Sequence, residues 1–257
     1  MTPAETPSPA WREDSLLGGR VRLWQPLDGY RAAIDPVLLA AAVTAGEGGR
    51  VLDAGAGTGA ALLCLAARRP DLRITGLEID ALHAGLCQRS IEGNAMESRC
   101  RVFCADLDRP PPEIPRGGFD AVMTNPPYME AGTAPGDPRR ARAHMERKDL
   151  PLARWIARCL DLLRPKGRLT VVQRADRLDA LLAALAGKAG EVTILPLWPR
   201  TGLAAERVLV AARKGARGGS RLLPGLVLHG AGNDFTSEAE SVLRDASALD
   251  LEPRGRR

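Results

Sequence analysis

From residue 50 to residue 214, short apolar runs rich in β-branched residues alternate with segments of helical pattern. The short runs predict strands at Arg50–Ala54, Arg73–Glu78, Arg101–Ala105, Phe119–Thr124, Arg168–Gln173, Val192–Leu197 and Arg207–Ala212. Helices are predicted at Gly59–Arg69, Ala81–Asn94, Leu150–Leu163 and Ala175–Leu185. Strands spaced by helices in this way build a parallel α/β sheet covered on both faces. Ligands of such sheets bind outside the carboxyl ends of the strands, near the point where the strand order reverses. The strand ends are therefore the places to look for chemistry.

The flanks have a different texture. Residues 1–15 are rich in Pro, Ser and Thr without periodicity and read as a disordered arm. An N-terminal extension, 16–48, holds an alternating stretch around Val21, Leu23 and Gln25 that ends in an Asp28-Gly29 turn. Asp35-Pro36 then opens a helix, since Pro suits the first helical turn. The α/β domain occupies 49–215, and a C-terminal extension 216–257. Within it, a linker and the apolar LLPGLVLHG precede Ser237 and Glu240, a capping box for a short helix to about Leu249.

The 257 residues suit one large domain with additions, and 45% hydrophobic with 26% charged residues exclude collagen, coiled coil and wholesale disorder. The formal charge of +5 is compatible with a polyanionic partner such as RNA. The cysteines, Cys64, Cys87, Cys100, Cys104 and Cys159, form no C-x-x-C, and His occurs only at His83, His144 and His229. That spacing is neither a disulfide framework nor a zinc site, so no metal is expected. Cys64, Cys100 and Cys104 lie in apolar stretches and read as small core residues. The N-terminus lacks the basic start and apolar run of a signal peptide, and runs such as Val37–Val43 are too short to span a bilayer. A cytoplasmic protein is expected.

The first strand passes through Asp53-Ala54-Gly55-Ala56-Gly57-Thr58-Gly59 into a helix. Glycines there allow a sharp turn and close approach of backbone to a ligand. Dinucleotide enzymes share such loops, but a pyrophosphate would gain nothing from the carboxylate of Asp53. That group suits a cationic or amino-bearing ligand instead. Glu78 ends the second strand, where an acid accepts both hydroxyls of a ribose. Asp106, at the end of the third, is placed to accept from an adenine amino group. Taken singly, the three acids are equally well strand-end caps. Together with the glycines they describe a pocket for an adenosine with a charged, phosphate-free tail, which fits S-adenosylmethionine.

On these residues, positions 28–214 resemble the class I, Rossmann-like S-adenosylmethionine-dependent methyltransferases. The resemblance implies a seven-stranded sheet, mostly parallel, with an antiparallel last strand at ERVLVAARK and helices on both faces. It implies that Gly55, Gly57 and Gly59 underlie the methionine end of the cofactor, that Glu78 binds its ribose, and that Asp106 lies by its adenine.

The fourth strand delivers Asn125-Pro126-Pro127-Tyr128. Two prolines stop ladder pairing and stiffen the turn, which by itself describes a strand terminator. It leaves the flanking Asn and Tyr unexplained. A planar amino group is a poor nucleophile because its lone pair is delocalised. The side-chain oxygen of Asn125 and the carbonyl of Pro126 can each accept one of its hydrogens, favouring a pyramidal nitrogen with its lone pair aimed at the methyl carbon. Tyr128 offers a face for stacking the planar substrate. N-P-P-Y after the fourth strand resembles methyltransferases of adenine N6, cytosine N4 and glutamine amides.

LDGYRAAIDPVLLAAAV, the glycine loop, NPPYM and an Arg-rich loop together look like the bacterial tRNA adenine-N6 methyltransferases that modify valine tRNA. That resemblance implies an anticodon-loop adenine as substrate, with Tyr30 and Asp35 helping to close the cofactor pocket; Tyr30 is also accounted for by simple packing. Arg139, Arg140 and Arg142 are then phosphate contacts, or else a solvated loop. Arg213, Lys214, Arg217 and Arg221 form a second basic cluster with the same two readings. The alternatives are a glutamine N5-methyltransferase acting on a peptide-chain release factor, and a non-catalytic protein that binds S-adenosylmethionine and RNA. Against the first stands the short, Pro/Gly-rich stretch before the first strand, where release-factor enzymes carry a helical domain. The oligomeric state is not legible.

Overall fold

A computed structural model describes residues 11–28, 32–127 and 150–251. Its centre is a sheet whose strands β3 (Arg50–Ala54), β4 (Arg73–Glu78), β5 (Cys100–Cys104), β6 (Phe119–Thr124), β7 (Leu163–Arg174), β8 (Ala189–Trp198) and β9 (Arg207–Lys214) lie in the order β8-β9-β7-β6-β3-β4-β5. All run parallel except β9, which is antiparallel to both β7 and β8. This is the expected mostly parallel sheet with the antiparallel strand slotted between neighbours. Two short strands extend it to nine: β10 (Arg221–Leu222) and β11 (Leu226–Val227) pair in parallel with β8. They come from the C-terminal extension, whose expected linker is tied down by a hydrogen bond from Glu191 N–H to the Gly218 carbonyl.

Strand residues alternate between two cores, as the two-residue period of a strand requires. Val51, Ala121, Met123, Leu209 and Ala211 face one layer, while Leu52, Val122, Val208, Val210 and Ala212 face the other. The first layer is built by α1 (Asp35–Ala42), α2 (Ala60–Arg68) and α3 (Ala81–Gly93), the second by α4 (Leu152–Leu162) and α5 (Leu178–Leu185). The predicted helix from Ala175 is split: residues Ala175–Arg177 form a 3-10 turn before α5 begins.

The arm expected at 1–15 is corrected at its end. Trp11–Leu16 forms β1, which pairs antiparallel with β2 (Val21–Pro26). Arg89 of α3 stacks its guanidinium over Trp11 at 3.8 Å, and Trp24 packs so closely on Gly93 that any Cβ there would meet its ring at 2.2 Å. Aromatic anchoring of this kind outweighs the local Pro- and Ser-rich composition. The hairpin lies along α3, with Arg22 N–H on Asn94 and Trp24 N–H on Ser90. It therefore carries the chain from Pro26 toward the carboxyl edge of the sheet.

The last helix, α6 (Ser237–Leu243), is also shorter than expected. Thr236, not Ser237, caps it by accepting from Ala239 N–H, and it stops six residues before Leu249. Beyond it the chain folds back: Leu249 N–H reaches the Ala41 carbonyl, and Arg68 donates to the carbonyls of Val242 and Ser247. Cys64 and Cys100 are core residues as expected, but Cys104 is exposed, because it ends the edge strand β5. Among the described residues no helix is long and apolar enough to cross a membrane, and none cluster as a metal site.

Candidate active site

The strand order reverses between β3 and β6: β4 and β5 follow β3 on one side, while β6 lies on the other. At the carboxyl edge this sets Asn125, the glycine loop, Glu78 and Asp106 side by side. Ligands of open α/β sheets occupy this crevice.

Gly55, Gly57 and Gly59 all have positive φ, of 76°, 55° and 91°. Two of them are also crowded. A Cβ on Gly59 would meet the Cys87 sulfur at 2.7 Å, and one on Gly55 would meet the Trp155 ring at 2.9 Å. A Cβ on Gly57 would meet nothing within 4 Å, so the loop is open to a ligand at that position.

Asp53 is 2% exposed, and its Oδ2 has no hydrogen-bond partner among the described residues. Burial pushes its carboxyl up to about 7; the backbone N–H of Leu62, in the first turn of α2, pulls the other way, and the charge of Glu78 adds to the rise. A buried carboxylate with one orphaned oxygen costs free energy unless something pairs with it. Glu78 is also buried, with Oε2 accepting from Gly57 N–H and Oε1 from Asp80 N–H, both at 2.8 Å. It braces the glycine loop while each oxygen keeps a second lone pair. Asp106 lies two residues past β5, its Oδ1 closing a turn onto Asp108 N–H at 2.8 Å. Turn-capping by Glu78 and Asp106 leaves acceptor capacity on both carboxylates.

Asn125 is half-buried, Pro126 buried and Pro127 exposed, directly after Thr124 closes β6. Asp35 sits at the same edge, but its carboxylate pairs with Arg207 at 3.1 Å and so ties α1 to the start of β9. Tyr30, Tyr128, Arg139, Arg140, Arg142 and His144 lie outside the described residues.

Sequence reasoning missed Trp155 and Thr124. The Trp155 indole donates to Thr124 Oγ1 at 2.9 Å, and that hydroxyl donates to the Ala54 carbonyl at 2.7 Å. The scarcity of aromatics, 4% of the chain, was the available signal.

These features fit S-adenosylmethionine. Asp53 would supply the negative partner for a cationic amino acid end, Gly57 the room, and Glu78 the acceptors for a diol. A pyrophosphate at this loop would face the carboxylate of Asp53.

The model of the methyltransferase small domain family matches residues 33–194. The tRNA1(Val) (adenine(37)-N6)-methyltransferase of Porphyromonas gingivalis is 33% identical over 157 residues, 59% of this chain and 61% of that protein. The match thus spans about three fifths of that relative's length. The protein of the same name from Aeromonas hydrophila is 30% identical over 191 residues, 72% of this chain and 77% of the relative. Among solved structures, a predicted O-methyltransferase from Agrobacterium tumefaciens superposes with a TM-score of 0.72 at 27% identity, covering 86% of this chain and 100% of that one. A T. thermophilus 16S rRNA N2 G1207 methyltransferase in complex with AdoMet and guanosine shares the fold, with a TM-score of 0.55 at 22% identity, covering 83% of this chain and 53% of that one. With a family model matched across residues 33–194 and these strand ends in register, the chain belongs to the methyltransferase small domain family.

Proposed function

We propose that the protein is an S-adenosylmethionine-dependent N-methyltransferase acting on adenine N6 of a cytoplasmic tRNA, in the anticodon loop of valine tRNA. The observation that carries this reading is the rigid Asn125-Pro126-Pro127 turn beside the glycine loop at the switch point of the sheet. The names of the relatives support the choice of substrate.

When bound, S-adenosylmethionine supplies an electrophilic methyl on a sulfonium. The chain's own groups do the rest. Asp53 and the loop of Gly55, Gly57 and Gly59 hold the amino acid end, and Glu78 holds the ribose. Asp106 faces the adenine of the cofactor. The Asn125 side-chain oxygen and the Pro126 carbonyl accept the two hydrogens of the substrate amino group, so its lone pair is aimed rather than delocalised. Pro126 has no N–H to compete. Tyr128 stacks on the substrate base, and Tyr30 with Asp35 closes the pocket. The amino nitrogen would carry a positive charge on gaining the methyl and would shed its spare proton to water. Arg139, Arg140 and Arg142 contact RNA phosphates.

The test is transfer of labelled methyl from S-adenosylmethionine to unmodified tRNA, with nucleoside analysis of the product. N6-methyladenosine is expected. Cofactor binding without transfer to any tRNA, but with transfer to a release-factor glutamine, would overturn the substrate assignment. Binding with no transfer at all would point to a non-catalytic role.

A further inference from the structure

We propose that Trp155 is a positioning residue that holds the methyl-acceptor turn and the cofactor loop in fixed register, an inference that rests on the methyl-transfer reading above. The contact is built from both ends. Thr124 is the residue immediately before Asn125, and Ala54 the residue immediately before Gly55; the two stand opposite each other across the β3–β6 pair. Thr124 is fully buried and spends its one donor on the Ala54 carbonyl at 2.7 Å. Its oxygen still has an acceptor side. The Trp155 indole N–H occupies it, at 2.9 Å. The same indole packs so closely on Gly55 that a Cβ there would sit 2.9 Å from Cζ2 and 3.1 Å from Cη2. One side chain thereby touches the first residue of the cofactor loop and, through one hydroxyl, the residue that launches the acceptor turn.

The helix carrying Trp155 is itself anchored. Arg158 donates to Asp108 Oδ1 at 2.7 Å, and Arg154 pairs with the same carboxylate. The backbone N–H of Asp108 closes the turn on Asp106. The first two turns of α4 therefore join the acceptor turn, the cofactor loop and the Asp106 corner. Methyl transfer needs donor carbon and acceptor nitrogen in near-attack geometry, and a misplacement of about 1 Å costs on the order of 100-fold in rate. A group that sets this register should act on turnover while leaving cofactor affinity nearly alone.

The test compares wild type, W155F, T124V, T124S and the W155F/T124V double variant. Each is assayed for S-adenosylmethionine affinity by calorimetry, for kcat and KM on an unmodified valine tRNA transcript, and for thermal midpoint. Unlike T124V, which leaves the indole in place, W155F removes both the N–H and the Cζ2 and Cη2 atoms that lie nearest Gly55. It is expected to lower kcat roughly 10–100-fold with cofactor affinity within about threefold of wild type. T124S keeps the hydroxyl and is expected to stay near wild-type turnover. The double variant is expected to lose less in kcat than the two singles combined, because both break the link between Trp155 and Thr124. Wild-type kcat in W155F, or a loss confined to affinity and thermal midpoint, would overturn the positioning role while leaving the methyltransferase reading intact. A wild-type protein that transfers no methyl to any acceptor would overturn that reading and this inference with it.

Discussion

Replacing Asp53 with Asn should stabilise the cofactor-free protein above neutral pH and weaken cofactor binding. In the folded chain burial raises the Asp53 carboxyl to about 7, against an ordinary carboxylate value near 3.8. The displacement corresponds to about 4 kcal/mol held against the ionised form. Its sign follows from proton binding. Between pH of about 4 and about 7 the folded state holds a proton that the unfolded state has released, so stability falls as pH rises through that window and levels off above it. Asn carries no charge and escapes this loss. Its carbonyl can keep the Leu62 N–H, but its amide hydrogens arrive where Oδ2 has no partner among the described residues. An unpaired buried donor costs about 1–3 kcal/mol. The net gain for D53N at about pH 8 is therefore about 1–3 kcal/mol, or a midpoint raised by about 2–10 °C. Near pH 4 the gain should vanish or reverse. Thermal melts of both proteins without S-adenosylmethionine, at about pH 5 and about pH 8, measure the difference directly. A stability difference that is the same at both pH values would refute the reasoning, because it would mean that no buried charge is being removed. Calorimetry in parallel should show wild-type cofactor affinity rising with pH through about 7, with the rise absent in the variant.

Asn125→Ala is expected to retain cofactor binding and lose about 100–1000-fold in turnover, the usual cost of one oriented polar group at a reacting centre; single-turnover methyl transfer measures it. Glu78→Gln replaces a carboxylate that accepts from Gly57 and Asp80 N–H with an amide that must face one of them with its own donor. Losing one such charge-assisted bond should lower stability by about 1.5–3 kcal/mol in denaturation, and the lost carboxylate should weaken S-adenosylmethionine binding in calorimetry. Arg68→Ala removes the donors that hold the Val242 and Ser247 carbonyls, and should lower stability by about 1.5–3 kcal/mol and speed proteolysis beyond β11, as read from denaturation and timed digestion.

What was legible in the chain divides by the range of the interaction that decides it. Strands β3, β4 and β6 match their expected bounds because each is a short buried run ended by residues that cannot continue it: Gly55 after β3, and Pro126 and Pro127 after β6. Asp53 and Glu78 were placed at the sheet's carboxyl edge by the same rule, because their strands end where the runs end. The errors lie where a distant partner overrules local composition. Trp11–Leu16 reads as a Pro- and Ser-rich arm until Arg89 and the paired strand β2 are brought to it. The end of α6 is set by Arg68, far away in sequence, taking up the Val242 carbonyl in its last turn and the Ser247 carbonyl beyond it. Trp155 belongs to the same class. In its own helix it looks like one more apolar residue, and neither Thr124 nor Gly55 announces a partner. Its position becomes meaningful only once the register of β3 against β6 puts Ala54 opposite Thr124, leaving one hydroxyl and one bare Cα within reach of the same indole. Local rules thus reach the residues that would meet the ligand, while the residue that holds them in register is defined by packing between elements and needs the folded chain to be seen.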